Sequence, residues 1–99
     1  MFPMQTIVIS DRLSKDVILA AVQHNGRALQ YASDGMRSDK DVVLAAVQQD
    51  GFALQYAADR MRADREVALA AIQNNSYALQ YASDALSSDK EVVSTAFPS

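Results

Sequence analysis

Apolar and polar residues run along the chain in blocks that return at a fixed interval. Val17–Val22, Val42–Val47 and Val67–Ile72 are apolar runs, each led by charged residues and closed by polar ones (Gln23-His24, Gln48-Gln49, Gln73-Asn74). An unbroken run covers more than one face of a helix, so each predicts a helix buried on several sides. Ser14, Asp39, Asp64 and Asp89 stand at the aligned starts, where a side-chain oxygen accepts from the orphan amides of the first turn. The acids two residues on (Asp16, Asp41, Glu66, Glu91) suit the positive end of the helix dipole. These helices are predicted to stop at Asn25-Gly26, Asp50-Gly51 and Asn75-Ser76. There Gly supplies a left-handed terminus, and Asn75 supplies it where Ser replaces Gly.

A second, shorter helix follows in each block: Ala28–Met36, Ala53–Met61 and Ala78–Leu86. Leu54, Ala57 and Met61 fall on one face of it, as an amphipathic helix requires. Arg37 and Arg62 close it with a charge that suits a helix C-terminus. A helix this short is unstable alone and is expected to be partly 3₁₀.

The interval is regular. Tyr31, Tyr56 and Tyr81 lie 25 residues apart, as do Val17, Val42, Val67 and Val92. The chain therefore divides into an apolar lead-in or cap (1–12), repeats at 13–37, 38–62 and 63–87, and a partial fourth repeat or C-terminal cap (88–99). The expected fold is all-α: a short α-solenoid of three helix-turn-helix repeats and part of a fourth, each burying its apolar face on the next. The paired alanines (Ala20-Ala21, Ala45-Ala46, Ala70-Ala71) allow helices to approach closely. At the start, the β-branched residues of Thr6–Ile9 predict a short extended segment over the end of the stack. Pro98 stops the last helix.

The repeated string D-K-[DE]-V-V-L-A-A-V-Q-Q-[ND]-G-x-A-L-Q-Y-A resembles the tandem repeat of the domain-of-unknown-function family 4116, over residues 11–97. Ser14, Ala68 and Ser76 depart from it in single copies. The resemblance implies a helical repeat and carries no chemistry. A looser likeness is to the leucine-rich variant repeat, which alternates an α-helix with a 3₁₀-helix.

Composition narrows the function. With no cysteine among the 99 residues, disulfides, thiolate metal sites and cysteine nucleophiles are excluded. A net charge of −3 with scattered basic residues disfavours nucleic acid and anionic membrane. No apolar stretch is long enough to span a bilayer, and the start lacks a basic leader and cleavage pattern. The chain is thus expected to be soluble and intracellular. His24 is the sole histidine, and the acid pairs Asp39/Asp41, Asp64/Glu66 and Asp89/Glu91 each enclose a Lys or Arg and are explained by capping. No catalytic, cofactor-binding or metal-binding residue is therefore expected, and no enzyme.

Binding is expected elsewhere. The Gln-Tyr ladder (Gln30-Tyr31, Gln55-Tyr56, Gln80-Tyr81) is expected to serve packing, each amide and hydroxyl bonding the next repeat. Positions that change between copies are expected to be free of that duty: Arg27/Phe52/Tyr77, His24/Gln49/Asn74 and Gly35/Arg60/Ala85. Phe52 and Tyr77 beside Arg27 resemble an interface anchor patch, with the alternative that each ring staples its own turn. The two ends add Phe2, Met4 and Ile7 at one and Val92, Val93 and Phe97 at the other; with Arg60 these complete the candidate partner-binding residues. Two readings follow: a protein-interaction module or accessory subunit that docks or self-associates through its ends, and a structural spacer of a longer repeat array.

Overall fold

A computed structural model describes residues 10–97, with side chains from Lys15 onward. The predicted extended segment at Thr6–Ile9 and the candidates Phe2, Met4 and Ile7 lie outside the described residues. The described chain is helical throughout: α1 (Ser10–His24), η1 (Gly26–Tyr31), α2 (Asp34–Arg37), α3 (Lys40–Gln49), η2 (Gly51–Tyr56), α4 (Asp59–Arg62), α5 (Arg65–Asn74), η3 (Ser76–Tyr81), α6 (Asp84–Ser87) and α7 (Lys90–Ala96), where η denotes a 3₁₀ helix. No strand occurs among the described residues.

The long helices begin as their caps dictate. Asp39 accepts from the amides of Asp41 and Val42, Asp64 from Val67, and Asp89 from Glu91 and Val92. The first unit departs from this expectation. Helix α1 starts at Ser10, so Ser14 lies inside it and Asp16 is well past its first turn.

Glycine does something other than expected at the junctions. Among the described residues no backbone adopts positive φ, so neither Gly26, Gly51 nor Asn75 is left-handed. Instead Asn25, Asp50 and Asn75 are extended, near φ −150°, and cap the 3₁₀ helix by accepting from Arg27, Phe52 and Tyr77. Glycine is needed for space. A Cβ on Gly26 would sit 2.4 Å from the Ala46 carbonyl oxygen, and one on Gly51 would sit 2.4 Å from that of Ala71.

The predicted second helix is two helices. Its 3₁₀ part ends at Ala32, Ala57 and Ala82, which are extended, and a one-turn α-helix follows. Ser33 and Ser83 cap that turn; Ala58 has no side chain to do so. The break releases an amide from the helical ladder. Ala58 N–H donates to Arg37 O at 2.9 Å and Ser83 N–H to Arg62 O at 3.0 Å, each bond joining one unit to the one before.

The units stack in order. Helix α3 packs on α1 and η1 of the unit before it and on α5 of the unit after; η2 lies between η1 and η3. Val42, Val43, Ala46 and Val47 of α3 are fully buried, as are Val67, Ala68 and Ala71 of α5. Each fully buried valine or leucine contributes roughly 1.5–3 kcal/mol. The core is therefore a row along the stack, one layer per unit, as in a solenoid.

Candidate functional site

The acid pairs have a second task besides capping. Lys15 Nζ bridges Asp39 at 3.1 Å and Asp41 at 3.3 Å. Lys40 bridges Asp64 at 3.2 Å and Glu66 at 2.8 Å. Arg65 bridges Asp89 at 3.1 Å and also Glu91. Each cation of one unit thus reaches both acids of the next, and the ladder runs through three joints. Partial desolvation raises the carboxyl pKa of Asp39 and Asp64, but the lysine ammonium and the capped amides outweigh it and hold both below the ordinary carboxylate range. For Asp89 the Arg65 guanidinium is the leading cause, with the Val92 amide next. Lys15 and Lys40 are raised above their ordinary value by hydrogen bonds to the same acids. Among the described residues no group of three or more acids and histidines could hold a metal ion.

Two columns expected to be free of packing are part of the joints. Gln49 Oε1 accepts from Gly26 N–H at 2.9 Å, and Asn74 Oδ1 from Gly51 N–H at 2.7 Å. Asn74 also donates to Gln48 O at 3.1 Å. Of the Arg27/Phe52/Tyr77 column, Arg27 and Phe52 hold units together by different chemistries, while Tyr77 is exposed as expected. Arg27 Nε pairs with Asp50 at 2.8 Å, and its guanidinium lies 5.5 Å from the Phe52 ring centre. Phe52 then meets Tyr81 of the next unit edge to face, with centroids 6.1 Å apart. Phe52 is half-buried between repeats, so it is neither an exposed anchor nor a staple on its own turn. Conversely, Gln30, Gln55 and Gln80 donate to Arg27 O, Phe52 O and Tyr77 O within their own 3₁₀ turns, and among the described residues they bond no neighbouring unit.

The other candidates divide by burial. Arg27, Arg60, Tyr77 and Phe97 are exposed; Val93 is half-buried. Val92 is fully buried, because α7 packs on α5 and η3 as the earlier long helices pack on theirs. His24 is exposed at the end of α1.

The large apolar side chains that stand exposed lie toward the two ends of the described stack, while half-buried Leu44, Leu69 and Ala70 line an open groove along its middle. The exposed large apolar side chains among the described residues are Val17 (65% exposed), Tyr31 (82%), Tyr77 (68%) and Phe97 (57%). Their counterparts one unit inward are covered: Val42 is fully buried, Tyr56 and Phe52 are half-buried, and Ile72 is 1% exposed. Leu79 shows the same effect, being half-buried where Leu29 and Leu54 are fully buried. At the C-terminal face Tyr77, Leu79, Gln80, Ser87 and Phe97 line an open groove of about 450 Å³ beside η3, with mostly apolar walls. Charge follows the same rule. Among the described residues Lys90 ends the ladder with no acid beyond it, and Asp16 begins it with no cation before it. The sequence pointed to Tyr77 and Phe97 but gave no sign that Val17, Tyr31 and Leu79 are uncovered by position rather than by composition.

No described helix is long and apolar enough to cross a membrane. Searches of the curated proteins and of the solved structures returned no match. The family model of a domain of unknown function, DUF4116, matches residues 14–62 and again 64–97, in tandem and over most of the chain. The stacked α/3₁₀ units and the two tandem matches together make this chain a member of the DUF4116 family.

Proposed function

We propose that the chain is a non-enzymatic helical-repeat module that binds protein through the ends of its stack, as a small scaffold or accessory subunit. One observation carries this reading: the exposed large apolar side chains sit on the terminal units, and their internal counterparts are covered by a neighbouring unit. An apolar face of this kind, rimmed by polar residues, is what interaction surfaces present. The occupied joints indicate how such a face is filled, by aromatic contact, aliphatic burial and one cation on two acids.

The test is co-purification of the tagged full chain from its own cells, followed by mass spectrometry. Tyr77→Glu and Phe97→Glu are compared with Asp59→Asn, a change at a fully exposed position of the second unit. Loss of the same protein partner with either end variant, and retention with Asp59→Asn, is the expected result. A partner set that none of the three changes alters would sink the reading, as would the absence of any partner together with a strict monomer at high concentration.

A further inference from the structure

The three junctions between a long helix and its 3₁₀ helix share a shape and differ in chemistry: Asn25-Gly26, Asp50-Gly51 and Asn75-Ser76. In such a pair the backbone nitrogen of the second residue can attack the side-chain carbonyl carbon of the first and close a five-membered imide. A side-chain amide favours this, because a carboxylate is a poor electrophile. Glycine favours it too, having no Cβ to crowd the closing ring. Of the three asparagines in the sequence, Asn25 alone precedes glycine. Asp50 offers a carboxylate, held by Arg27 at 2.8 Å, and Ser76 sets a side chain beside the attacking nitrogen.

Both members of the pair at 25 and 26 are imposed by the fold. Asn25 Oδ1 caps η1 by accepting from Arg27 N–H at 3.1 Å. Gly26 is glycine because a Cβ there would sit 2.4 Å from Ala46 O of the second unit. The same joint also withholds the nucleophile, which is the Gly26 nitrogen after loss of its proton. In the stack that N–H is buried and donates to Gln49 Oε1 of the second unit at 2.9 Å. Base reaches it only when the two units open, as in hydrogen exchange of a protected amide.

We propose that Asn25 is a modification site controlled by the joint between the first and second units. It is inert while α3 covers Gly26, and it converts to aspartate and isoaspartate when the units separate. Water and hydroxide are the only reagents. Hydroxide takes the Gly26 amide proton, the nitrogen bonds to Asn25 Cγ, and the Cγ–Nδ2 bond breaks. Ammonia leaves with a proton from water, which restores the hydroxide. Water then opens the imide. Breaking the new Cγ–N bond gives aspartate, and breaking the original bond from the Asn25 carbonyl carbon to Gly26 N gives isoaspartate.

The two products differ in consequence. Aspartate is what the second unit already carries: Asp50 has the same extended backbone and caps η2 through Phe52 N–H at 2.9 Å. The joint accepts it. Isoaspartate adds a carbon to the main chain before Gly26, in a place where Ala46 O leaves no room for a methyl group. It draws Gly26 N–H away from Gln49, so the first unit does not restack. A transient opening thereby becomes permanent. This site lies at an internal joint, and its success or failure leaves the reading of the end faces untouched.

The full chain is incubated in mildly alkaline buffer, with and without unfolding urea, and sampled over time. Peptide mapping by mass spectrometry follows the exchange of NH for O at Asn25, and isoaspartate methyltransferase labelling identifies the isoaspartate. The native chain is expected to convert at least about tenfold more slowly than the unfolded one, since the open state is a small minority. In urea Asn25 converts faster than Asn75. Gln49→Ala removes the acceptor and speeds native conversion without changing the rate in urea, whereas Gln49→Glu keeps an acceptor and stays slow. Hydrogen exchange at Gly26 N–H in the wild type gives a second measure, independent of any variant: its protection matches the ratio of the unfolded to the native rate at Asn25. Equal rates in the folded and unfolded wild type overturn the proposal. So does a folded Gln49→Ala chain whose Gly26 exchanges faster while Asn25 converts no faster, and so does an isoaspartate form that melts like the wild type.

Discussion

Replacing Gly51 with Ala tests the packing of the stack at one atom. Gly51 opens η2 with negative φ, so alanine suits its backbone. On conformational grounds alone the change would stabilise by about 0.4–1 kcal/mol, because alanine is less free in the unfolded chain. The neighbouring unit reverses that sign. The added Cβ meets Ala71 O at 2.4 Å, Asn75 Cβ at 3.1 Å and Asn75 N at 3.2 Å. The first of these is backbone on a packed helix, so relief requires α5 and η2 to separate by roughly 1 Å to regain ordinary contact distance. Overpacking of this kind costs about 1–3 kcal/mol. Separation also stretches the 2.7 Å bond from Gly51 N–H to Asn74 Oδ1, worth about 1 kcal/mol. The sum is a destabilisation of about 1–3.5 kcal/mol.

For a domain of this length 1 kcal/mol moves the melting midpoint by roughly 4–8 °C. Thermal unfolding followed by far-ultraviolet circular dichroism should therefore show a drop on the order of 10 °C for Gly51→Ala. Gly35→Ala is the internal control. Its Cβ meets only Ser33 Oγ, at 3.9 Å, and the residue lies on the exposed side of the one-turn helix α2. There the propensity gain of up to about 1 kcal/mol stands unopposed, and the midpoint should rise. If Gly51→Ala melts at or above the wild-type temperature, units two and three do not approach as closely as the 2.4 Å contact requires, and the explanation of both junction glycines fails with it.

Three further outcomes follow from the joints. Ala46→Leu enlarges a fully buried side chain between units and should cost about 1–3 kcal/mol by urea unfolding. A double-mutant cycle on Lys40 and Asp64, both partly solvated, should return a coupling of about 0.2–1 kcal/mol that shrinks in high salt. Melting temperature against pH should be level from about pH 5 to pH 9 and fall outside that range. The acid limb arises because Asp39, Asp64 and Asp89 have folded pKa values below the unfolded value near 3.9, so their contribution is present above it and is lost as pH falls through the folded values. The alkaline limb has the opposite sign: Lys15 and Lys40 are raised, so their contribution holds below about 10.4 and is lost as pH rises through the folded values.

What the sequence conveyed was whatever a single unit decides for itself. The aspartate caps, the apolar run of α3 and α5 and the 25-residue register are local, and the structure follows them. What it concealed was set between units. Nothing in Tyr56-Ala57-Ala58-Asp59 marks a break, since neither Gly nor Pro is present; the break exists because Ala58 N–H serves Arg37 O across the joint. Gly26 and Gly51 read as left-handed termini because a left-handed residue and a close approach both select glycine. Ser76 in the third copy was a hint, because serine gains nothing from positive φ. The cation ladder also had a sequence signal: Lys40, Arg65 and Lys90 stand inside the three acid pairs, and Lys15 holds the same register between Ser14 and Asp16.

The variable Arg27/Phe52/Tyr77 column shows why variation is an unsafe guide to a free surface. A repeat joint constrains pairs across units, so one position can change if its contact finds another chemistry. Arg27 on Phe52 and Phe52 on Tyr81 are a cation over a ring and a ring edge on a face, and both close the same gap. Exposure in a short stack is decided by where a residue stands in the order of units more than by its type. Val17 and Val42 are identical residues at identical register, one 65% exposed and the other fully buried. An end face of the stack therefore carries, as a by-product of the repeat, the aromatic groove and the Lys90-led helix that the internal joints also use, and the interaction reading places a partner's contacts on those features.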